Sequence, residues 1–186
     1  MKVTMIIGEP GAGKSLLMKE LMRLDKWEFS NSTKYIPQHW CRARQACILG
    51  RYDDLTHKYP GTDRMSMAAQ PKVIQFLRAN TETNFLFEGD RLGNESMIRA
   101  MLNTEGVDLE VIRLVPMTWV LDKRRVEGRQ DQNERFWRSR RTKIMNLHTF
   151  CSRQAGIGNL RYQPDAHHNN LSETHNLIAY LRKYRV

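Results

Sequence analysis

The sequence has no long hydrophobic run, no cysteine framework and no internal repeat. Val3 to Ile7 is the only apolar stretch before the first glycine. It is far short of a membrane span and too short for a signal-peptide core, so a cytoplasmic protein without a membrane partner is expected. Cys41, Cys47 and Cys151 are odd in number and lack C-x-x-C spacing. That argues against a disulfide framework or a zinc knuckle, even with His39 nearby, and leaves them as reduced thiols. No segment is low in complexity, and 186 residues leave no room for two domains of similar size. With 40% hydrophobic and 9% aromatic residues the chain can fill one core, so a single domain over 1–186 is expected.

What is present begins with "GEPGAGKS", directly after that apolar run. Gly8, Gly13, Lys14 and Ser15 fit G-x-x-x-x-G-K-S/T, with a strand pattern before and a helix pattern after. In such a loop, glycines let successive amide N–H groups converge on phosphate oxygens. Gly8, Glu9, Pro10, Gly11, Ala12, Gly13, Lys14 and Ser15 are therefore the candidate nucleotide-binding residues, with ATP and Mg²⁺ as cofactors. Lys14 would reach the β and γ phosphates and Ser15 Oγ would ligate Mg²⁺. The helix beginning near Gly13 would aim the positive end of its dipole at the same anion.

Periodicity predicts strand, loop and helix from Lys2 to about Leu24, then candidate strands at Lys34–Ile36 and Ala46–Leu49. A helix is predicted over Met67 to Ala79, with Pro71 in its early part. Phe85-Leu86-Phe87 reads as a buried parallel strand that delivers acidic residues to its C-terminal edge. A short helix over Asn94 to Leu102 and a strand over Val107 to Val115 follow, and Pro116 opens a long helical segment. A last helix starts at Asn170, capped through Glu173, and runs toward Tyr184. Alternating strands and helices imply an α/β fold with a parallel sheet covered on both faces.

Acidic groups after the strands are the candidates for metal and acid–base chemistry. "GRYDD" offers Asp53 as the base that accepts a hydroxyl proton, with Asp54 in acceptor binding. "YPGTDRMS" adds Asp63 and Arg64 to grip an acceptor. "FEGDR" supplies Glu88 or Asp90 as the acidic partner of Mg²⁺, with Arg91 beside it for the acceptor. Tyr52 is read as a core residue, with acceptor stacking as the alternative.

Charge is uneven. From Leu121 to Met145 there are nine Lys or Arg against four Asp or Glu, half of the net +10 of the chain. Helical pattern is interrupted at Gly128–Asn133 with arginines on both sides, which suggests a lid over a triphosphate. Arg124, Arg125, Arg129, Arg138 and Arg140 are its candidates, Arg125 for the cofactor and Arg129 and Arg138 for catalysis.

"GEPGAGKS", "EGDR" and the arginine-rich lid together resemble the P-loop nucleotide and nucleoside kinases of thymidylate-kinase type. "ILGRYDD", "YPGTDRMS" and "RRTKIMNL" are similar to the bacteriophage kinases that phosphorylate 5-hydroxymethyluracil within DNA. The resemblance runs from the loop to about Leu147. It implies a three-layer P-loop kinase fold with an Arg-rich lid at about 121–145, DNA as the acceptor, and transfer of the ATP γ-phosphoryl group to a primary alcohol, in host cytoplasm. Asp90-Arg91 is followed by Leu92 in place of the usual tyrosine, and the glycine motif for an acceptor phosphate is missing, which weakens the case for a monophosphate acceptor. An isoelectric point near 9.8 fits a polyanionic partner. Trp40 and Phe136-Trp137 are candidate stacking platforms for an extruded base, and Arg182-Lys183-Tyr184-Arg185 is a candidate basic tail. Two other classes stay open: a kinase of free nucleotides or nucleosides, and a nucleotide-dependent binding ATPase.

Overall fold

The computed structural model describes residues 1–31, 35–53, 60–128, 133–155, 157, 160–167 and 169–186, without the side chains of 124–128 and 171. The core of the sheet is built from continuous apolar runs. In β1 (Lys2–Gly8) every residue after Lys2 is buried, as a parallel strand covered on both sides requires. It pairs in parallel with β5 (Asn84–Glu88) on one side and β6 (Asp108–Leu114) on the other. The full order is β2-β3-β4-β5-β1-β6-β7. β4 (Ala46–Leu49) and β7 (Leu160–Ala166) extend the parallel part, while β2 (Glu28–Ser30) and β3 (Gln38–Cys41) form an antiparallel edge.

Alternate side chains of each strand feed opposite faces. Met5, Phe85, Phe87 and Val111 pack against α2 (Gln70–Ala79), α3 (Glu95–Leu102) and α5 (Glu134–Gln154). Ile6, Leu86 and Ile112 pack against α1 (Lys14–Met22) and α6 (Leu171–Tyr184). The three layers follow from that alternation. α4 (Thr118–Gly128) leads into α5, and the expected lid segment comprises α4 and the first half of α5. Among the described residues no helix is long and apolar enough to cross a membrane.

Several expectations are corrected. Tyr35 lies in a turn and Ile36 outside any strand, with Lys34 outside the described residues; the pairing falls instead to Glu28–Ser30 and Gln38–Cys41. α2 begins at Gln70, three residues later than expected, with Pro71 in its first turn, where no N–H is needed. β7 was not legible at all. The last helix is capped by Asn170, whose side chain accepts from Glu173 N, and Glu173 reaches back to Asn169 N. Cys41, Cys47 and Cys151 are free, buried thiols. Arg185 is buried, with its guanidinium on Thr4, Val3 O, Asp108 and Glu110, and Arg182 pairs with Asp25, so the tail arginines belong to the fold.

Candidate active site

Parallel strands open their C-terminal ends on one edge of the sheet, and the phosphate loop lies there between β1 and α1. Gly13 takes φ 89, a left-handed conformation that a side chain would resist, and it turns the chain into α1. Lys14 Nζ folds back over the loop, donating to Gly8 O at 2.8 Å and Glu9 O at 3.1 Å. Ala12 is fully buried in the core, so it serves the loop through its backbone. The Glu9 carboxylate pairs with α5: its Oε1 is 3.2 Å from Arg141 Nε.

Ser15 and Glu88 meet across the sheet. Glu88 ends β5, in register with Ile6 of β1, and its Oε1 accepts from Ser15 Oγ at 3.0 Å and from Tyr52 OH at 3.1 Å. Only 3% of Glu88 is exposed. Burial pushes its carboxyl up to about 7, with Lys14 pulling the other way and Asp63 adding to the rise. Burial and the Glu88 charge also hold the Tyr52 phenol well above its ordinary range, so it remains a donor.

The loop after β4 returns to this point. Arg51 and Gly61 exchange backbone hydrogen bonds, and Thr62 Oγ1 donates to Glu88 O. A Cβ on Gly61, which holds φ +80, would stand 2.2 Å from Glu88 Oε1. That close approach sets Asp63 and Arg64 on the cleft wall.

The cleft has a volume of ≈ 780 Å³, within the usual span of ligand sites. It brings together, from the residues expected on sequence, Pro10, Gly11, Gly13, Lys14 and Ser15 of the loop, Asp63, Arg64, Glu88, Asp90 and Arg91 after the strands, and Phe136 and Arg140 of α5, and it adds Lys143. Asp90 is engaged by α5: Arg140 Nη1 is 3.1 Å from its carboxylate, and Lys143 Nζ donates to its backbone O at 2.9 Å. Burial lowers the Lys143 ammonium pKa, and Arg140 and Lys14 act in the same direction against Asp90 and Asp63.

Other predicted residues lie elsewhere. Asp53 pairs with Arg51 at 3.1 Å and is not on the cleft wall. Arg138 is 79% exposed and pairs with Glu134 one turn away. Trp40 packs edge-on to Phe76 in the core. Asp54 and Arg129, and the side chains of Arg124 and Arg125, lie outside the described residues. Sequence reasoning missed Lys143, Thr62 and the Tyr52 contact. Lys143 had a readable signal: Phe136, Arg140 and Lys143 share the i, i+4, i+7 spacing of one helix face, continuous with the buried Ile144, Leu147 and Cys151.

A serine hydroxyl and a buried carboxylate suit Mg²⁺, which takes oxygen ligands and fills the rest of its octahedron with water and phosphate. Among the described residues there is no cluster of three or more His, Cys, Asp or Glu that would make a self-sufficient metal cage. Phosphate loop, parallel sheet and helices on both faces together make a three-layer α/β fold of P-loop type. No family model matches the sequence, and no curated protein matches it. Among solved structures the chain is similar to a deoxyadenosine kinase from M. mycoides with products dCMP and a flexible dCDP bound, at 16% identity, full coverage of both chains and a TM-score of 0.45.

Proposed function

We propose that the protein is an ATP-dependent kinase that transfers the γ-phosphoryl group to the hydroxymethyl oxygen of 5-hydroxymethyluracil in DNA. The observation that carries the phosphotransfer reading is a single cleft holding Lys14, the Ser15–Glu88 pair, Asp63, Arg140 and Lys143. Lys14 and the loop amides bind the β and γ phosphates. Ser15 and Glu88 would hold Mg²⁺, which would supply charge neutralisation to the triphosphate. Asp63 takes the proton of the attacking alcohol as its oxygen bonds to phosphorus and the bridging P–O bond breaks to release ADP. Its place on the wall beside Glu88 supports it over Asp53 as this base. Arg140 and Lys143, from α5, neutralise the transferred group.

The DNA half of the proposal rests on charge: the chain carries +10, and Arg135 and Arg138 of α5 face solvent next to the cleft. One observation favours a kinase of free nucleotides instead. Arg182 and Arg185 are taken up by internal ion pairs, so part of the basicity is architectural. Steady-state transfer from γ-labelled ATP separates the two, with DNA containing 5-hydroxymethyluracil, DNA containing thymine, and free 5-hydroxymethyldeoxyuridine and its monophosphate as acceptors. Label entering only the 5-hydroxymethyluracil DNA is the expected result. A higher kcat/KM on either free compound overturns the DNA acceptor.

A further inference from the structure

Tyr52 lies just beyond β4, is 3% exposed, and packs with the core under α1. A buried phenol needs a hydrogen-bond partner, and this one spends its proton on Glu88 Oε1. Ser15 Oγ donates to the same oxygen, so neither donor engages Oε2. The backbone of Tyr52 is itself fixed, because its N–H donates to His39 Nε2 at 3.2 Å. Burial keeps the His39 imidazole toward its neutral form, which leaves that nitrogen available as an acceptor. On the other flank Gly61 leaves no space between the returning loop and the Tyr52–Glu88 contact.

We infer that Tyr52 is a positioning residue for the metal of the bound nucleotide: its phenol, with Ser15, pins one oxygen of Glu88 and leaves the other presented to the cleft. The inference rests on the reading of Ser15 and Glu88 as the Mg²⁺ pair. Because the phenol is anchored in the loop that carries Asp63 and Arg64, the same contact joins the acceptor wall to the metal site.

The test uses the whole protein with a non-hydrolysable ATP analogue and Mn²⁺, whose binding is followed by electron paramagnetic resonance, while metal-free analogue binding is followed by calorimetry. Tyr52→Phe keeps the ring and its packing, and thermal melts on the same samples establish that it is folded. Metal dissociation should rise about tenfold, as for other residues that orient a ligand, with metal-free nucleotide affinity unchanged. In a Glu88→Gln background, Tyr52→Phe should add nothing. A folded Tyr52→Phe with normal metal affinity, or an additive effect in the double variant, overturns the inference. If Ser15→Ala and Glu88→Gln also leave metal affinity intact, the metal pair itself is wrong, and that outcome is distinct from a failure of Tyr52 alone.

Discussion

At the scale of the residue, Glu88 makes the free protein sensitive to pH. Its carboxyl is raised by burial to about 7, above the range of an unfolded carboxylate, so the folded state favours the proton. That contribution to stability is fully present below the ordinary carboxylate pKa and is lost as pH rises through about 7. Glu88→Gln removes the titration, so its melting temperature relative to the wild type should climb from pH 5 to about pH 7 and level off above it; a constant offset would contradict the account. The acceptor base is decided at the same scale. Asp63→Asn should lower turnover by ~10² or more with little change in ATP binding, whereas Asp53→Asn should change it far less. Measured kcat and nucleotide affinity for both variants discriminate between them. The phosphate loop was legible because its chemistry is contiguous in sequence. Asp53 and Asp63 could not be ranked that way, because the Arg51–Gly61 pairing that folds the loop back is a backbone contact across intervening residues.

At the scale of the element, α5 joins the cleft to the core. Its first half presents Phe136, Arg140 and Lys143 to the site, and its second half buries Ile144, Leu147 and Cys151. Among the described residues three ion pairs tie it to the loops after β1 and β5, Arg141 with Glu9 and both Arg140 and Lys143 with Asp90. A triphosphate in the cleft, as proposed, would compete with Asp90 for Arg140 and Lys143. Arg140→Ala should therefore lower kcat by about 10² or more on any acceptor, while Arg138→Ala, one turn out and paired with Glu134, should lower it little. Steady-state kinetics on one free and one polymeric acceptor check both. α4, and α5 starting from its Asn133 cap, were readable from periodicity. β2, β3 and β7 were not: β2 has only three residues, β3 buries the polar Gln38 and His39, and β7 is a half-exposed edge strand with polar residues where central strands carry apolar runs. β7 even contains Pro164, tolerated there because the strand has a neighbour on one side only.

At the scale of the whole molecule, the chain closes on itself through Arg185. The guanidinium has no exposed side-chain surface and bridges β1 and β6 through Thr4, Val3 O, Asp108 and Glu110. Removing one partner strands the buried Glu110, so Arg185→Ala should cost about 3–5 kcal/mol in denaturant melts. A cost near zero would mean that the network adds nothing. Net charge from the sequence could not reveal this, because a count does not separate cations that face solvent from those consumed inside. Arg135 and Arg138 of α5 are among the cations that remain outside, and the DNA proposal depends on them. The most direct measurement incubates the protein with ATP, Mg²⁺ and DNA containing 5-hydroxymethyluracil, digests the DNA to 5′-mononucleotides with nuclease alone, and weighs the 5-hydroxymethyluracil nucleotide by mass spectrometry. A mass increase of one phosphoryl group, carried on the hydroxymethyl oxygen, is the expected result. An unmodified nucleotide, with ATP turned over only when free nucleotides are supplied, would contradict a DNA acceptor.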